Sequence, residues 1–182
     1  MANEKWEIDS GHSGINFSVR HMVIAKVRGK FARWSGSITA EEGDPARATL
    51  GVTIDASSID TGVADRDTHL KSADFLDVAN FPEITFKGTR TQKAGKGRFR
   101  VIGDLTLRGV THEVVLDVED MGRTKDPWGN QRAGFSAKTT IDRKAFGLVW
   151  NQVLEAGGVM VGERVDVEIE VEAVKQAAEK AA

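Results

Sequence analysis

In the stretch VDVEIEVE at 165–172, Val165, Val167, Ile169 and Val171 alternate with Asp166, Glu168, Glu170 and Glu172. Side chains of an extended chain point to opposite faces in turn, so this segment has one dry face and one wet face, as a strand of an antiparallel sheet does. The same period recurs in Ile15, Phe17 and Val19, in Trp34, Ile38 and Ala40, and in Ala48, Leu50, Val52 and Ile54. It returns in Ile84 and Phe86, in Phe99, Val101, Leu105 and Leu107, in Val114, Leu116 and Val118, and in Phe135, Ala137 and Ile141. Between the runs stand turn-forming clusters at hairpin spacing: EEGDP at 41–45, QKAGKG at 92–97, LRGVT at 107–111 and KDPWGN at 125–130.

Eight or more such strands can cover their dry faces by closing into a barrel or by stacking as two sheets. The Cys…Trp…Cys pattern of an immunoglobulin sandwich is absent and the runs are long, which favours an all-β, antiparallel, eight-stranded up-and-down barrel. A barrel of about eight strands is either filled by its own side chains or holds one small ligand. Alternation is lost in ADRDTHLKSADFLDV, which predicts one short helical segment at about residues 62–78. It is lost again in AFGLVWNQVLEAGGVMVG at 145–162, which reads as a loop folded onto the protein or across an opening. At 182 residues a single domain is expected, with a disordered start at 1–5, the barrel over 6–174 and a frayed, helix-prone tail at 175–182.

Lys and Arg total 25 against 27 Asp and Glu, a net charge of -2 without the basic excess that phosphate-backbone binding requires, so no nucleic-acid partner is expected. The absence of cysteine excludes disulfides, thiolate metal sites and cysteine nucleophiles. No run of about 18 apolar residues occurs, so no transmembrane segment is expected. Charges interrupt the apolar positions of residues 1–30, which argues against a signal peptide, and as written the chain is expected to stay in the cytoplasm. His12, His21, His69 and His112 fall in four separate segments, so no metal site is expected, and DRDTH at 65–69 reads as a helix start. SGHSGI around Ser13 lacks the glycine of a nucleophile elbow, and AGKGRFR at 94–100 lacks the first glycine and the Ser or Thr of a phosphate loop. No catalytic set emerges.

What the chain supplies instead is large apolar side chains on dry parities: Phe17, Trp34, Phe86, Phe99, Leu105 and Phe135, with Phe31, Phe75, Phe146 and Trp150 near the breaks. The parity predicts that Phe17, Trp34, Leu105 and Phe135 point inward and that Ser18, Ser35, Thr106 and Ser136 point outward. Small residues share the dry faces at Gly36, Ala40, Ala48, Gly103, Ala133 and Ala137. They either leave a cavity or match large neighbours across a packed interior.

The segments WEIDSGHSGINFSVRHM at 6–22, KVRGKFARWSGSI at 26–38, SSIDTGVADRDTHLKSADFLDVANFPEITF at 57–86, GDLTLRGVTHEVVL at 103–116 and AFGLVWNQVLEAGGVMVGERVDVEIEVEA at 145–173 resemble the YceI-like family, lipocalin-like β-barrels that bind polyisoprenoids. The resemblance implies a helix packed beside one opening, no catalytic residue, no cofactor and no metal. It implies an isoprenoid ligand, such as a polyprenyl phosphate or an isoprenoid quinone, with its tail in an apolar lumen. The lumen candidates are then Phe17, Val19, Phe31, Trp34, Phe75, Phe86, Leu105, Phe135, Phe146 and Trp150. His21, Arg66, His69 and Lys71 are the candidates for its head group, and a homodimer is compatible with this reading. Two other readings stay open: an enzyme acting on a lipid or small carbonyl, and a fully packed barrel with a structural or partner-binding role.

Overall fold

The computed structural model describes residues 3–42, 44–152, 154 and 160–177. Its strands are β1 (Asn3–Ile8), β2 (Gly14–His21), β3 (Ala25–Phe31), β4 (Trp34–Glu41), β5 (Asp44–Asp55), β6 (Ile59–Asp60), β7 (Glu83–Gly95), β8 (Arg98–Leu107), β9 (Val110–Lys125), β10 (Gln131–Asp142) and β11 (Val161–Lys175). Among the described residues one α-helix, α1 (Ala64–Lys71), stands between β6 and β7, inside the stretch where alternation fails. No helix among them is long and apolar enough to cross a membrane.

Every strand pairing is antiparallel, and the order β1-β4-β5-β7-β8-β9-β10-β11 returns to β1. β1 and β2 form one bent stave, because β11 meets β1 at Ala173↔Ile8 and β2 at Ile169↔Ile15. β3 and β4 form the next stave, paired with β2 and β1 respectively. The ring therefore has eight staves in meander order, with β6 a two-residue addition to β3. All four turn clusters read from the sequence fall between paired strands, at Glu41↔Asp44, Gly95↔Arg98, Leu107↔Val110 and Gln131↔Lys125. The bend between β1 and β2 is held from the far side of the seam. The Ser13 hydroxyl accepts from Glu172 N (2.9 Å) and donates to Glu172 O (3.3 Å), and Asp9 N donates to the same carbonyl (2.8 Å).

Two boundary expectations need correction. Residues 3–5, expected to be disordered, are the first half of β1, where Lys5 stands opposite Thr39 and its carbonyl accepts from Gln176 N (2.8 Å). Lys175, expected to begin the frayed tail, is the last residue of β11 and pairs with Trp6. Closing the ring needs β1 between β4 and β11, and that nonlocal pairing orders a segment too polar to announce itself. Residues 1–2 and 178–182 lie outside the described residues.

Arg132 fastens this seam, reaching Asp126 (2.8 Å), Asp9 (2.9 Å) and Glu172 (2.9 Å). Its hydrogen bond first, and backbone N–H groups after it, hold the Asp126 carboxyl at about 2, below its ordinary 3.8. The His12 ring and Arg132 likewise hold Asp9 low. A carboxyl depressed in the fold stabilises it fully above the unfolded value, and that stability is lost as pH falls toward the folded value. Stability is therefore expected to fall between about pH 4 and pH 2. An Arg132→Met variant should be less stable at neutral pH and should show a shallower acid slope in that window by chemical denaturation at stepped pH.

Candidate functional site

The inward parity of the staves encloses a cavity of about 630 Å³, within the roughly 300–1,000 Å³ of small-molecule sites. Phe17, Trp34, Leu105 and Phe135 line it, whereas Ser18, Ser35, Thr106 and Ser136 do not, so the register is the one that alternation predicts. Ala40, Ala48, Ala133 and Ala137 also line it, and these small side chains stand where free volume remains. Gly103 does not leave volume. A Cβ there would overlap the Lys87 carbonyl oxygen and come within 2.7 Å of Phe86 Cζ, so its dry face is already filled by the Phe86 ring. Gly29 serves the Phe17 ring in the same way.

The two ends of the lumen differ chemically. At the end beside α1 the wall is aromatic: His69 meets Trp150 edge-on at 4.7 Å and Phe75 at 5.1 Å, and Phe75 lies 5.4 Å from Trp150. His69 is oriented by Asp74 (Nε2 to Oδ2, 2.8 Å), and Arg66 donates to the Thr61 hydroxyl (2.7 Å) and carbonyl (2.8 Å). The Asp67 carboxylate accepts from Thr61 N (2.9 Å), so the DRDTH run mainly ties α1 to the barrel. At the opposite end polar groups face the lumen. Glu4 accepts from Lys175 (2.7 Å), which holds the Glu4 carboxyl below its usual range, and Arg123 lies over the Trp6 and Phe135 rings at 5.8 and 5.3 Å.

Of the ten lumen candidates, Phe17, Val19, Phe31, Trp34, Phe75, Phe86, Leu105, Phe135 and Trp150 line the cavity. Phe146 lies outside the lining: only 2% exposed, it packs in the core beneath the barrel end, with its ring 5.0 Å from His112. It ends the 3-10 turn Arg143–Phe146, beyond β10, whose inward positions are the odd-numbered Phe135, Ala137, Thr139 and Ile141, so no strand parity aims it into the lumen. His21, Arg66 and His69 are in the lining, and Lys71, at the last position of α1, is not.

Arg143, which no pattern in the sequence singles out, holds one wall of the site. It is 3% exposed and donates to the carbonyls of Gly162 (2.7 Å), Leu148 (2.7 Å), Trp150 (2.9 Å) and Val161 (3.2 Å). Burial pushes the guanidinium pKa down, opposed by Glu163 and Asp142. Two of its acceptors, Leu148 and Trp150, lie in the segment after β10 and two, Val161 and Gly162, open β11, so Arg143 and the Asn151 amide, bonded to Val161 on both sides, hold Leu148, Trp150 and Val161 against the lumen. The stretch 145–162 is expected to be a loop folded onto the protein or across an opening; Leu148, Trp150 and Met160 line the lumen, Val161 and Gly162 are already strand, and 153 and 155–159 lie outside the described residues. Trp6 was also missed, although Trp6 and Ile8 share a parity that marks them as inward.

Asp9, His12 and Glu172 bring three metal-capable atoms together, yet Arg132 stands 2.9 Å from both carboxylates and already occupies them as an ion-pair partner. The His69 ring is hydrogen-bonded to Asp74 and flanked edge-on by Phe75 and Trp150. The arrangement is that of an apolar binding chamber with two polar rims.

Comparison with known proteins agrees with this geometry. Residues 6–173 match the YceI-like domain model. Protein YceI of Escherichia coli O157:H7 is 39% identical over 175 residues, covering 96% of this chain and 88% of that one. The crystal structure of a Campylobacter jejuni YCEI protein superposes with a TM-score of 0.74 at 30% identity, over 87% of this chain and 90% of that one. A polyisoprenoid binding domain from Saccharophagus degradans, implicated in plant cell wall breakdown, shares the fold at a TM-score of 0.69 and 17% identity, over 94% of this chain and 98% of that one. With an unbroken family match across nearly the whole barrel and relatives of this similarity, the chain belongs to the YceI-like family.

Proposed function

We propose that the protein binds a polyisoprenoid lipid, a polyprenyl phosphate or an isoprenoid quinone, as a carrier or store without catalytic activity. The observation that carries this reading is the apolar lumen of about 630 Å³ running between the two rims. Desolvating the tail supplies the driving force at about 0.8 kcal/mol per buried methylene, so a few isoprene units reach micromolar affinity after the ordering costs of association. The polyisoprenoid binding domain of the same fold supports the choice of ligand. The head group is assigned to the α1 rim, where His21, Arg66 and His69 offer donors.

Trp34 and Trp150 line the lumen and report its occupancy through their fluorescence. Titration with a long-chain polyprenyl phosphate is expected to saturate with a spectral shift, and a straight-chain fatty acid should compete only weakly, because branched tails suit a lumen of alternating aromatic and small residues. Equal competition by the fatty acid would refute the isoprenoid assignment, and no shift with either would refute the lumen reading.

A further inference from the structure

The tip of the β2–β3 hairpin is apolar where both its backbone and its exposure favour polar residues. Met22 and Val23 adopt φ of 52° and 67°, the left-handed region that suits Gly and Asn and that a β-branched residue rarely enters. Met22, Val23 and Ile24 are 42%, 60% and 84% exposed. A turn that served the fold alone would carry Asn and Gly at such positions. Strain of this kind at an exposed apolar tip points to a use outside the fold.

The tip continues directly from the lumen. His21 and Met160, which flank it, both line the cavity, and Met22 N donates to Met160 O (2.8 Å). Beside it the ring of strands is interrupted, since among the described residues 25–29 of β3 pair with β2 alone and β6 takes that edge only at Lys30 and Phe31. Val63 and Val149, 47% and 62% exposed, lie at the same end of the barrel. Along the outer face of β3 stand Lys26, Arg28 and Lys30, all exposed, with Arg20 opposite Lys26. The acids in register with this face are three: Asp60 opposite Lys30, Glu168 across Asn16 from Lys30, and Asp166, engaged by Arg164 at 2.9 Å, across Ser18 from Arg28; none stands in register with Lys26 or Arg20 next to the tip. Basic side chains also guard unpaired strand edges, but edge protection does not account for Met-Val-Ile at the tip.

We propose that this hairpin tip docks the α1 end of the barrel on an anionic membrane leaflet, with Met22, Val23 and Ile24 inserted and the basic face of β3 at the lipid head groups. Lys26 is two residues from Ile24, about 7 Å along the strand. That spacing places cations among the head groups when an apolar tip sits about 5–10 Å into the boundary. Docking there sets the lumen mouth against the phase that holds a polyisoprenoid. The purpose of docking rests on the lumen reading; docking itself does not.

Flotation of the full chain with vesicles tests it. The protein is expected to float with vesicles of equal parts phosphatidylcholine and phosphatidylglycerol, to be released by high salt, and to stay unbound with phosphatidylcholine alone. Met22→Asn with Val23→Gly and Ile24→Ser suits the turn, so the melting temperature should hold or rise while partition falls at least tenfold. Lys26→Ala should lower partition about fivefold. Absence of flotation with the anionic vesicles, or unchanged flotation of the triple variant, would overturn the proposal. So would tip-dependent self-association in sedimentation velocity without vesicle binding, which would assign the tip to a second copy. Loading of polyprenyl phosphate from detergent, read by tryptophan fluorescence, separates the two readings. A protein that floats but never loads keeps the docking and loses the lumen reading, and one that loads but never floats does the reverse.

Discussion

Arg143→Met is expected to destabilise the protein by about 3–5 kcal/mol, because methionine fills similar space yet withdraws the guanidinium from four carbonyl oxygens, of which that of Val161 keeps the Asn151 amide as donor. Those oxygens belong to Leu148, Trp150, Val161 and Gly162, and the guanidinium that satisfies them is buried. For a chain of this size the loss corresponds to a melting temperature lower by roughly 6–20 °C, measurable by calorimetry. Arg143→Lys should recover only part of it, since one ammonium cannot span acceptors that a planar fork reaches together. Ligand affinity should fall as well, because Leu148, Trp150 and Val161 are wall residues of the lumen. A variant that melts like the parent would show that the segment after β10 is held by its apolar side chains alone.

The second large effect separates free volume from filled volume on the same dry faces. Ala137 and Ala40 line the cavity, so Ala137→Leu or Ala40→Leu should leave the melting temperature close to that of the parent and weaken isoprenoid binding. At Gly103 the space beyond Cα is occupied by Lys87 O and the Phe86 ring, so even Gly103→Ala should be destabilising by about 1–3 kcal/mol. Thermal melts of the three variants, with fluorescence titration of the stable ones, check the contrast. A stability loss at Ala137 equal to that at Gly103 would mean that the lumen is a packed core.

How far the fold was legible in the sequence depends on how local its cause is. Phe17, Trp34, Leu105 and Phe135 alternate with polar neighbours on long strands, where a one-residue slip would reverse every side chain, so their direction was readable. The turns were readable for the same reason, since Arg108 and Gly109 close β8 onto β9 with two residues. Asn3 to Lys5 were not: their order comes from Glu41 and Gln176, distant in sequence, and the segment carries no apolar alternation of its own. The bends that join β1 to β2 and β3 to β4 depend on partners such as Glu172 and Ser58, so the sequence showed eight alternating runs without showing which were half-staves.

The site followed the same division. Residues on straight strands reached the lumen as parity required, whereas Phe146 left it because a 3-10 turn has no parity of two. Lys71 lies at the end of an eight-residue helix whose facing side is set by the Thr61 contacts of Arg66 and Asp67. Arg143 reads as an ordinary surface charge in DRKAF, and only the return of the chain from Leu148 to Gly162 makes it a buried donor.

Native mass spectrometry of the intact chain, incubated with a polyprenyl phosphate and a straight-chain fatty acid at equal concentration, tests the lumen assignment most directly. An apolar lumen of about 630 Å³ predicts one isoprenoid per chain, retained on transfer to the gas phase, with the fatty acid adduct minor. A spectrum of bare chain, or one in which the two lipids occupy the protein equally, would contradict it.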